Sequence, residues 1–326
     1  MASIASKVMS EKKLLWMALF FVAKREILLE FVNFVAELSP TMKVNGLKRL
    51  LLVAAVALAG VLSPCDVSPK SVGKSGEKKF TLCLDPGHGG KDFGCIGSKT
   101  NEKTIVLRVA TRVKKLVEKH LADYADVVMT RDGDYFVTLQ GRADIANQAH
   151  SDLFVSIHVN SVAKSNKRRK TIAGSQVYTL GLHKTAENLA VAKRENAAMD
   201  FEPDNKANYA GFNPNSLEGD ILFELTQSRR MDQSIELADA IHHNLSVKAS
   251  RKQMGVRQAG FWVLWATSMP AVLVELDFIC NPDSEAFLAS DKGCDQMAEA
   301  IYNAFSCYLN TYGPALLDRD VKARIL

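Results

Sequence analysis

The sequence predicts an α/β fold, a mixed central sheet flanked by helices forming a single domain with one helical insertion. Three observations point to it. Short apolar runs alternate with segments of helical periodicity almost to the C-terminus. The run Leu153-Phe154-Val155-Ser156-Ile157-His158-Val159 is apolar enough for a central strand buried on both faces. The run from Phe80 to Leu84 is closed by Pro86 and by Gly87, Gly89 and Gly90, which stop a strand and let the backbone turn sharply.

Taken in order, the first strand covers 80–84. A helix follows the N-cap candidate Asn101, with Ile105, Val109, Val113 and Leu116 at helical spacing. Strands are expected at 153–159, 175–180, 260–265 and 269–278, and helices at 234–245 and 297–309. Between the strand at Val177 and the helix at Ser234 lies the insertion, 181–230, longer than an ordinary connection and of the kind that serves as a lid or regulatory element. Within it, 184–199 is helix-compatible, 201–219 is rich in Asn, Asp and Pro, and 220–227 returns to an apolar pattern. There is no internal repeat.

A chain of 326 residues that is 47% hydrophobic can bury one large domain and still carry a leader. Lys43, Lys48 and Arg49 precede an apolar stretch that ends in Ala57-Leu58-Ala59, so 42–59 reads as a signal peptide. Residues 1–41 then become an upstream extension, 60–78 a linker, 79–312 the folded domain and 313–326 a C-terminal tail. A lipid anchor at Cys65 is the competing leader reading, disfavoured by Pro64. The six cysteines have no spacing that suggests a structural metal site; an exported chain can pair them in disulfides, and Cys83 in a strand reads at least as readily as a buried free thiol. The net charge of +5 gives no lean toward nucleic acid.

Four polar residues sit where apolar ones would be expected. His88 is presented at a strand end by the Pro-Gly turn. Glu102 lies on the apolar face of its helix, one turn before Ile105; His158 interrupts the central strand run, and Glu275 stands within the apolar run 269–278. Each alone has an ordinary explanation: an acid in a first helical turn is favoured by the helix dipole, and a buried histidine can be a hydrogen-bonded core residue. Together they make a metal site. Two histidines and one carboxylate leave zinc an open position for water, whose pKa the metal lowers to about 7. The second carboxylate, Glu275, is then the base, although the two glutamates can exchange roles on this argument.

These residues resemble the zinc-dependent N-acetylmuramoyl-L-alanine amidases of the type 3 catalytic domain. Leu84-Asp85-Pro86-Gly87-His88-Gly89-Gly90 with Asp92 and Gly94 is similar to the first zinc motif of that family, and Asn101-Glu102-Lys103 to the second. Thr130-Arg131 with Leu139, Arg142, Ala146 and Asn147 is similar to the stretch after its second strand. Ser156-Ile157-His158-Val159-Asn160 resembles its third zinc motif, and Val274-Glu275 to Asn281 the strand with the catalytic glutamate. Leu276-Asp277 and Cys280 depart from the pattern beside Glu275 but leave the ligand positions untouched.

The resemblance implies zinc on His88, Glu102 and His158, Glu275 as catalytic base, and hydrolysis of the amide between N-acetylmuramic acid and L-alanine of peptidoglycan. Export to the periplasm or beyond goes with that substrate. The insertion looks like the helical element of the cell-division branch, which covers the zinc until an activator protein displaces it. Glu224 is ranked first as the acid that approaches the metal, ahead of Glu195 and Glu218. Arg142 is a site-orienting candidate, with a structural ion-pair role as its simpler explanation. The remaining histidines, His120, His150, His183, His242 and His243, read as surface or helix residues, and Lys164 to Lys170 as a solvated loop. The expected partners are peptidoglycan and an activator, with the protein as a monomer and nucleic acid excluded. A zinc peptidase acting on stem peptides and a wall-binding module without turnover are the rival readings.

Overall fold

The computed structural model describes residues 79–182, 185–202, 209 and 217–323, with the side chains of 217–229 and 314–323 outside the description. The expected leader, extension and linker lie outside the described residues. Six strands form one sheet in the order β2-β1-β3-β6-β4-β5. They are β1 (Phe80–Pro86), β2 (Ala125–Met129), β3 (Leu153–Asn160), β4 (Ser175–Leu180), β5 (Gln253–Ala259) and β6 (Ala271–Phe278). β2, β1, β3 and β6 run parallel, whereas β4 pairs antiparallel to β6 and parallel to β5. The sheet is therefore mixed, as the sequence predicts.

The helices are α1 (Glu102–His120), α2 (Leu139–Gln148), α3 (Ala186–Asn196), α4 (Leu217–Ala249), α5 (Trp262–Trp265), α6 (Pro282–Ala289) and α7 (Asp291–Ala323). A 3₁₀ turn, Ala197–Phe201, continues α3. Asn101 caps α1 by accepting a hydrogen bond from the Thr104 amide at 3.2 Å. The face α1 buries is formed by Ile105, Val109, Val113 and Val117, with Leu116 only half-buried, because the stripe drifts along a 19-residue helix of period 3.6.

The alternation of side chains along each strand splits the core in two. Leu82, Leu84, Val155, Ile157, Val272 and Val274 face one way, into a core closed by α1, α4 and α7. Cys83, Phe154, Tyr178 and Leu273 face the other, under α2, α3 and α5. This second layer also holds His158 and Glu275, which are direct neighbours across the β3–β6 pair.

Two elements differ from the sequence reading. Residues 260–265 form no strand: β5 ends at Ala259 and Trp262–Trp265 is a short helix. An apolar run of that length is compatible with either state, and here Trp262 packs edge-on against Tyr209 instead of pairing in the sheet. The expected tail at 313–326 continues α7 to Ala323.

Ile157 is fully buried at the centre of the sheet. Ile157→Ala should cost about 2–5 kcal/mol, read as a lower denaturant midpoint with an unchanged m-value.

Candidate metal centre

The parallel strands put their carboxyl ends together, and the order reverses between β1 and β3, where a cleft opens in sheets of this kind. His88 follows β1 and His158 lies near the end of β3. Glu102 is the first residue of α1 and Glu195 lies near the end of α3. One ligand atom from each of these four residues falls within 4.8 Å of the others, and all four residues are buried.

The backbone is shaped to bring them so close. His88 has φ 61°, a left-handed conformation that a non-glycine residue holds only where its surroundings enforce it. A Cβ on Gly87 would lie 2.3 Å from the His158 ring, and one on Gly94 (φ +64°) would lie 2.6 Å from both Glu102 Oε2 and His88 Cδ2. Beyond His158 the register of β3 against β6 shifts before Asn160, an irregularity that re-aims the strand end.

Two guanidinium groups grip the β1 turn. Arg142 pairs with Asp85 at 2.7 Å and donates to the carbonyl oxygens of Pro86 (2.9 Å) and His88 (2.5 Å). Arg131, which is fully buried, donates to the carbonyls of Pro86, Gly87, Lys103 and Gly133. Burial pulls its pKa down to about 10, so it stays charged at neutral pH. Arg142 thus forms the ion pair that was its simpler explanation and also holds the backbone that carries His88. Asp85 also accepts from Thr130 and Ser156, which ties β1 to its neighbours.

Asp92 Oδ2 lies 2.8 Å from His88 Nδ1 and leaves Nε2 facing the cluster. Nε2 lies 3.1 Å from Glu102 Oε1 and 3.2 Å from Glu195 Oε2, yet neither approach has hydrogen-bond geometry. His158 Nδ1 lies 3.0 Å from Glu102 Oε1 and 2.9 Å from Glu195 Oε2. Glu102 is steadied by the amides of Cys95 and Val159, each at 2.7 Å. Three buried polar atoms are left without a hydrogen-bond partner here: His88 Nε2, Glu195 Oε2 and Glu275 Oε2. Native interiors seldom leave such atoms unmatched. A nitrogen- and oxygen-donor set with orphaned buried atoms pointing inward fits a divalent metal ion.

Burial opposes charge on both histidines, but their acid neighbours outweigh it. Glu102 leads in lifting His88 well above its ordinary pKa, and Glu195 leads in lifting His158 to about 9. Glu102 and Glu195 are held below the usual carboxylate range despite burial, by His88 in the first case and by Arg194 and His158 in the second. Glu275 goes the other way. Burial pushes it up to about 8, against the Arg194 guanidinium and with help from Glu195 and Glu102.

Among the described residues, Glu195 is the insertion acid brought to the cluster. Glu224 and Glu218 belong to α4, outside the described side chains. The residue beside Glu195 is engaged as well: Arg194 Nε donates to Glu195 Oε1 at 2.8 Å, and Nη2 to Glu275 Oε1 and Asn160 Oδ1, both at 3.1 Å. The sequence reading missed Arg194, and it left Asp85 and Asp92 without roles. Asp85 ends a buried strand just as Glu275 does, and the same cost of an unpaired carboxylate would have singled it out. Asp277, a departure from the family pattern, is matched by Arg251 at 2.9 Å. His242 is a helix residue of α4, buried there and accepting from the Gly255 amide. Cys83 is a buried free thiol, as expected.

A family model described as N-acetylmuramoyl-L-alanine amidase matches residues 82–307. The chain belongs to this amidase family. N-acetylmuramoyl-L-alanine amidase AmiA of Escherichia coli (strain K12) is 32% identical over 242 residues, which is 73% of this chain and 79% of AmiA. AmiC of Escherichia coli O6:H1 is 32% identical over 240 residues, 72% of this chain and 54% of AmiC. Among solved structures, amidase AmiC2 of Nostoc punctiforme superposes with a TM-score of 0.51 at 30% identity, covering 72% of this chain and 99% of its own. An amidase from Clostridium difficile 630 gives 0.52 at 25% identity, covering 71% and 97%. The single mixed-sheet domain of this chain is the fold of these amidase catalytic domains.

In chelator, His88, His158 and Glu275 all hold protons more tightly folded than unfolded. Their contribution is present at low pH and is lost as pH rises through the folded values. The melting temperature of the metal-free protein should therefore fall between about pH 4.5 and 9, measured by calorimetry, with the Glu275 contribution gone above about 8 and that of His158 above about 9.

Proposed function

We propose that the protein is a zinc-dependent N-acetylmuramoyl-L-alanine amidase that cleaves the amide between N-acetylmuramic acid and the L-alanine of the peptidoglycan stem peptide, in wall remodelling and daughter-cell separation. The observation that carries the reading is Glu275: a fully buried carboxylate with one oxygen unpartnered, on the strand next to His158 and in register with it. Such a group, adjacent to the cluster but not among its ligand atoms, is placed to take a proton from water.

His88, Glu102 and His158 would hold the metal, with Asp92 fixing the His88 ring and Glu102 positioned by two backbone amides. When bound, zinc supplies Lewis acidity at the reacting carbonyl and acidifies water. Glu275 accepts the proton of the attacking water at Oε2 and returns it to the nitrogen of the leaving alanine. A pKa lifted by burial suits a group that must gain and lose a proton near neutral pH. Arg131 and Arg142 hold the β1 turn rigid, so the His88 ring keeps its aim through the cycle.

The resting enzyme is closed by its own insertion. α3 fills the cluster with Glu195 and occupies Glu275 with Arg194, so two charged residues must leave before substrate enters. An activator protein that draws α3 away is the partner this arrangement calls for. The protein acts outside the cytoplasm, where its substrate is; no described helix is long and apolar enough to cross a membrane.

Purified full-length protein is incubated with peptidoglycan and the products identified by mass spectrometry. Peptides beginning with a free L-alanine amine are expected, lost on chelation and restored by zinc; cuts within the stem would instead establish a peptidase. Glu275→Gln should lower kcat by about 10²- to 10⁴-fold while leaving zinc content unchanged. Glu195→Ala should raise basal release several-fold, and an unchanged basal rate would sink the closed-site reading.

A further inference from the structure

The amidase reading makes no use of the most strongly charged segment of the chain. Lys164, Lys167, Arg168, Arg169 and Lys170 place five cations in the seven residues 164–170. The loop leaves β3 directly after the strand end that carries His158. It has a defined shape. The amides of Asn166 and Arg169 donate to the carbonyls of Ala163 and Asn166, those of Thr171 and Ile172 to that of Arg168, and the Arg168 amide to Asn166 Oδ1. Arg169 turns back to the base of the loop and donates to the Val162 carbonyl and to Ser161 Oγ.

Lys164, Lys167, Arg168 and Lys170 are exposed, and among the described residues none of the five cations forms an ion pair with a carboxylate. Like charges so concentrated repel one another, and a sequence that needed only solvation would intersperse acids. The position gives the run a use. Asn166 and Arg168 line the same cleft as His88, Cys95 and Asn160, and Arg257 lines it too. Three acids line the cleft, Asp92 after β1, Glu187 on α3 and Asp239 on α4, and none of them belongs to the loop.

Cleavage of an amide at the cluster leaves a glycan on the acyl side and a peptide on the amine side. A peptide whose first residue becomes a free amine ends in a carboxylate, so the amine side is the anionic arm. We propose that the 164–170 loop is the specificity element for this arm, receiving the free carboxylates of the stem peptide on Lys164, Lys167, Arg168 and Lys170. The proposal rests on the amidase reading and adds the subsite to it. Exposed ion pairs contribute little singly, so the four cations act together and their effect is screened by salt.

The test uses full-length, zinc-loaded protein carrying Glu195→Ala, with and without Lys164→Gln, Lys167→Gln, Arg168→Gln and Lys170→Gln together. Two soluble muropeptides are compared that differ only in having free or amidated peptide carboxylates. The intact loop should favour the free-carboxylate substrate, with kcat/KM falling as salt is raised. The fourfold variant should raise KM for that substrate about five- to tenfold, discriminate little between the two, and show a flattened salt dependence. Equal KM for intact and substituted loops, or equal loss on both substrates, overturns the carboxylate subsite, while continued cleavage of the amidated substrate keeps the amidase reading. Cleavage of neither substrate by either protein overturns both. Unchanged KM with lost sedimentation on anionic lipid vesicles would assign the loop to a membrane surface and overturn the proposal.

Discussion

Everything in this molecule is arranged around the cost of burying four ionisable groups against one another. His88, Glu102, His158 and Glu195 are all removed from water at one end of the sheet, where an isolated charge would cost several kcal/mol. The site survives because the signs alternate: each imidazole faces carboxylates, and each carboxylate faces imidazoles, a guanidinium or backbone amides. The same requirement explains the surroundings. Asp85, at the end of β1, is fully buried but matched by Arg142, Thr130 and Ser156. Arg131 spends its donors on four carbonyls of the surrounding loops.

Glu275 is the exception to this matching of charges. Burial and the nearby Glu195 and Glu102 outweigh the cationic Arg194 and His158, and one of its oxygens is unmatched. The family relation and the geometry meet at this residue. A fold of amidase catalytic domains supplies the parallel strands that bring β3 and β6 side by side, and the register of those strands sets Glu275 beside His158. The insertion uses the same electrostatics in reverse. Adjacent residues of opposite charge on α3 each face an opposite charge, Glu195 the imidazole of His158 and Arg194 the carboxylate of Glu275.

Much of this was legible in the sequence because burial leaves a trace in composition. A polar residue inside an apolar run, such as His158 in β3 or Glu275 in β6, is anomalous without any coordinates. The Pro-Gly signal around His88 marked a turn because few residues tolerate such backbone, and the positive φ of His88, Gly89, Gly90 and Gly94 bears that out. The strand expected at 260–265 failed for the opposite reason: a short apolar run has no period to distinguish a strand from a buried helical turn, and Trp262 chose the packing partner. No periodicity tells that Glu195 of the insertion ends 2.9 Å from His158, two elements away, and Glu224 lies outside the described side chains.

By itself, then, the sequence determined the class of the fold, three residues of the candidate metal cluster and the lone glutamate beside them, since these are local departures from a hydrophobic pattern. Only the tertiary structure decided which insertion acid enters the cluster, that Arg194 holds Glu275, and that Arg131 and Arg142 clamp the β1 turn. Those choices depend on distances between segments far apart in the chain, and a distance across a fold is set by packing, on which the order of residues along a single segment is silent.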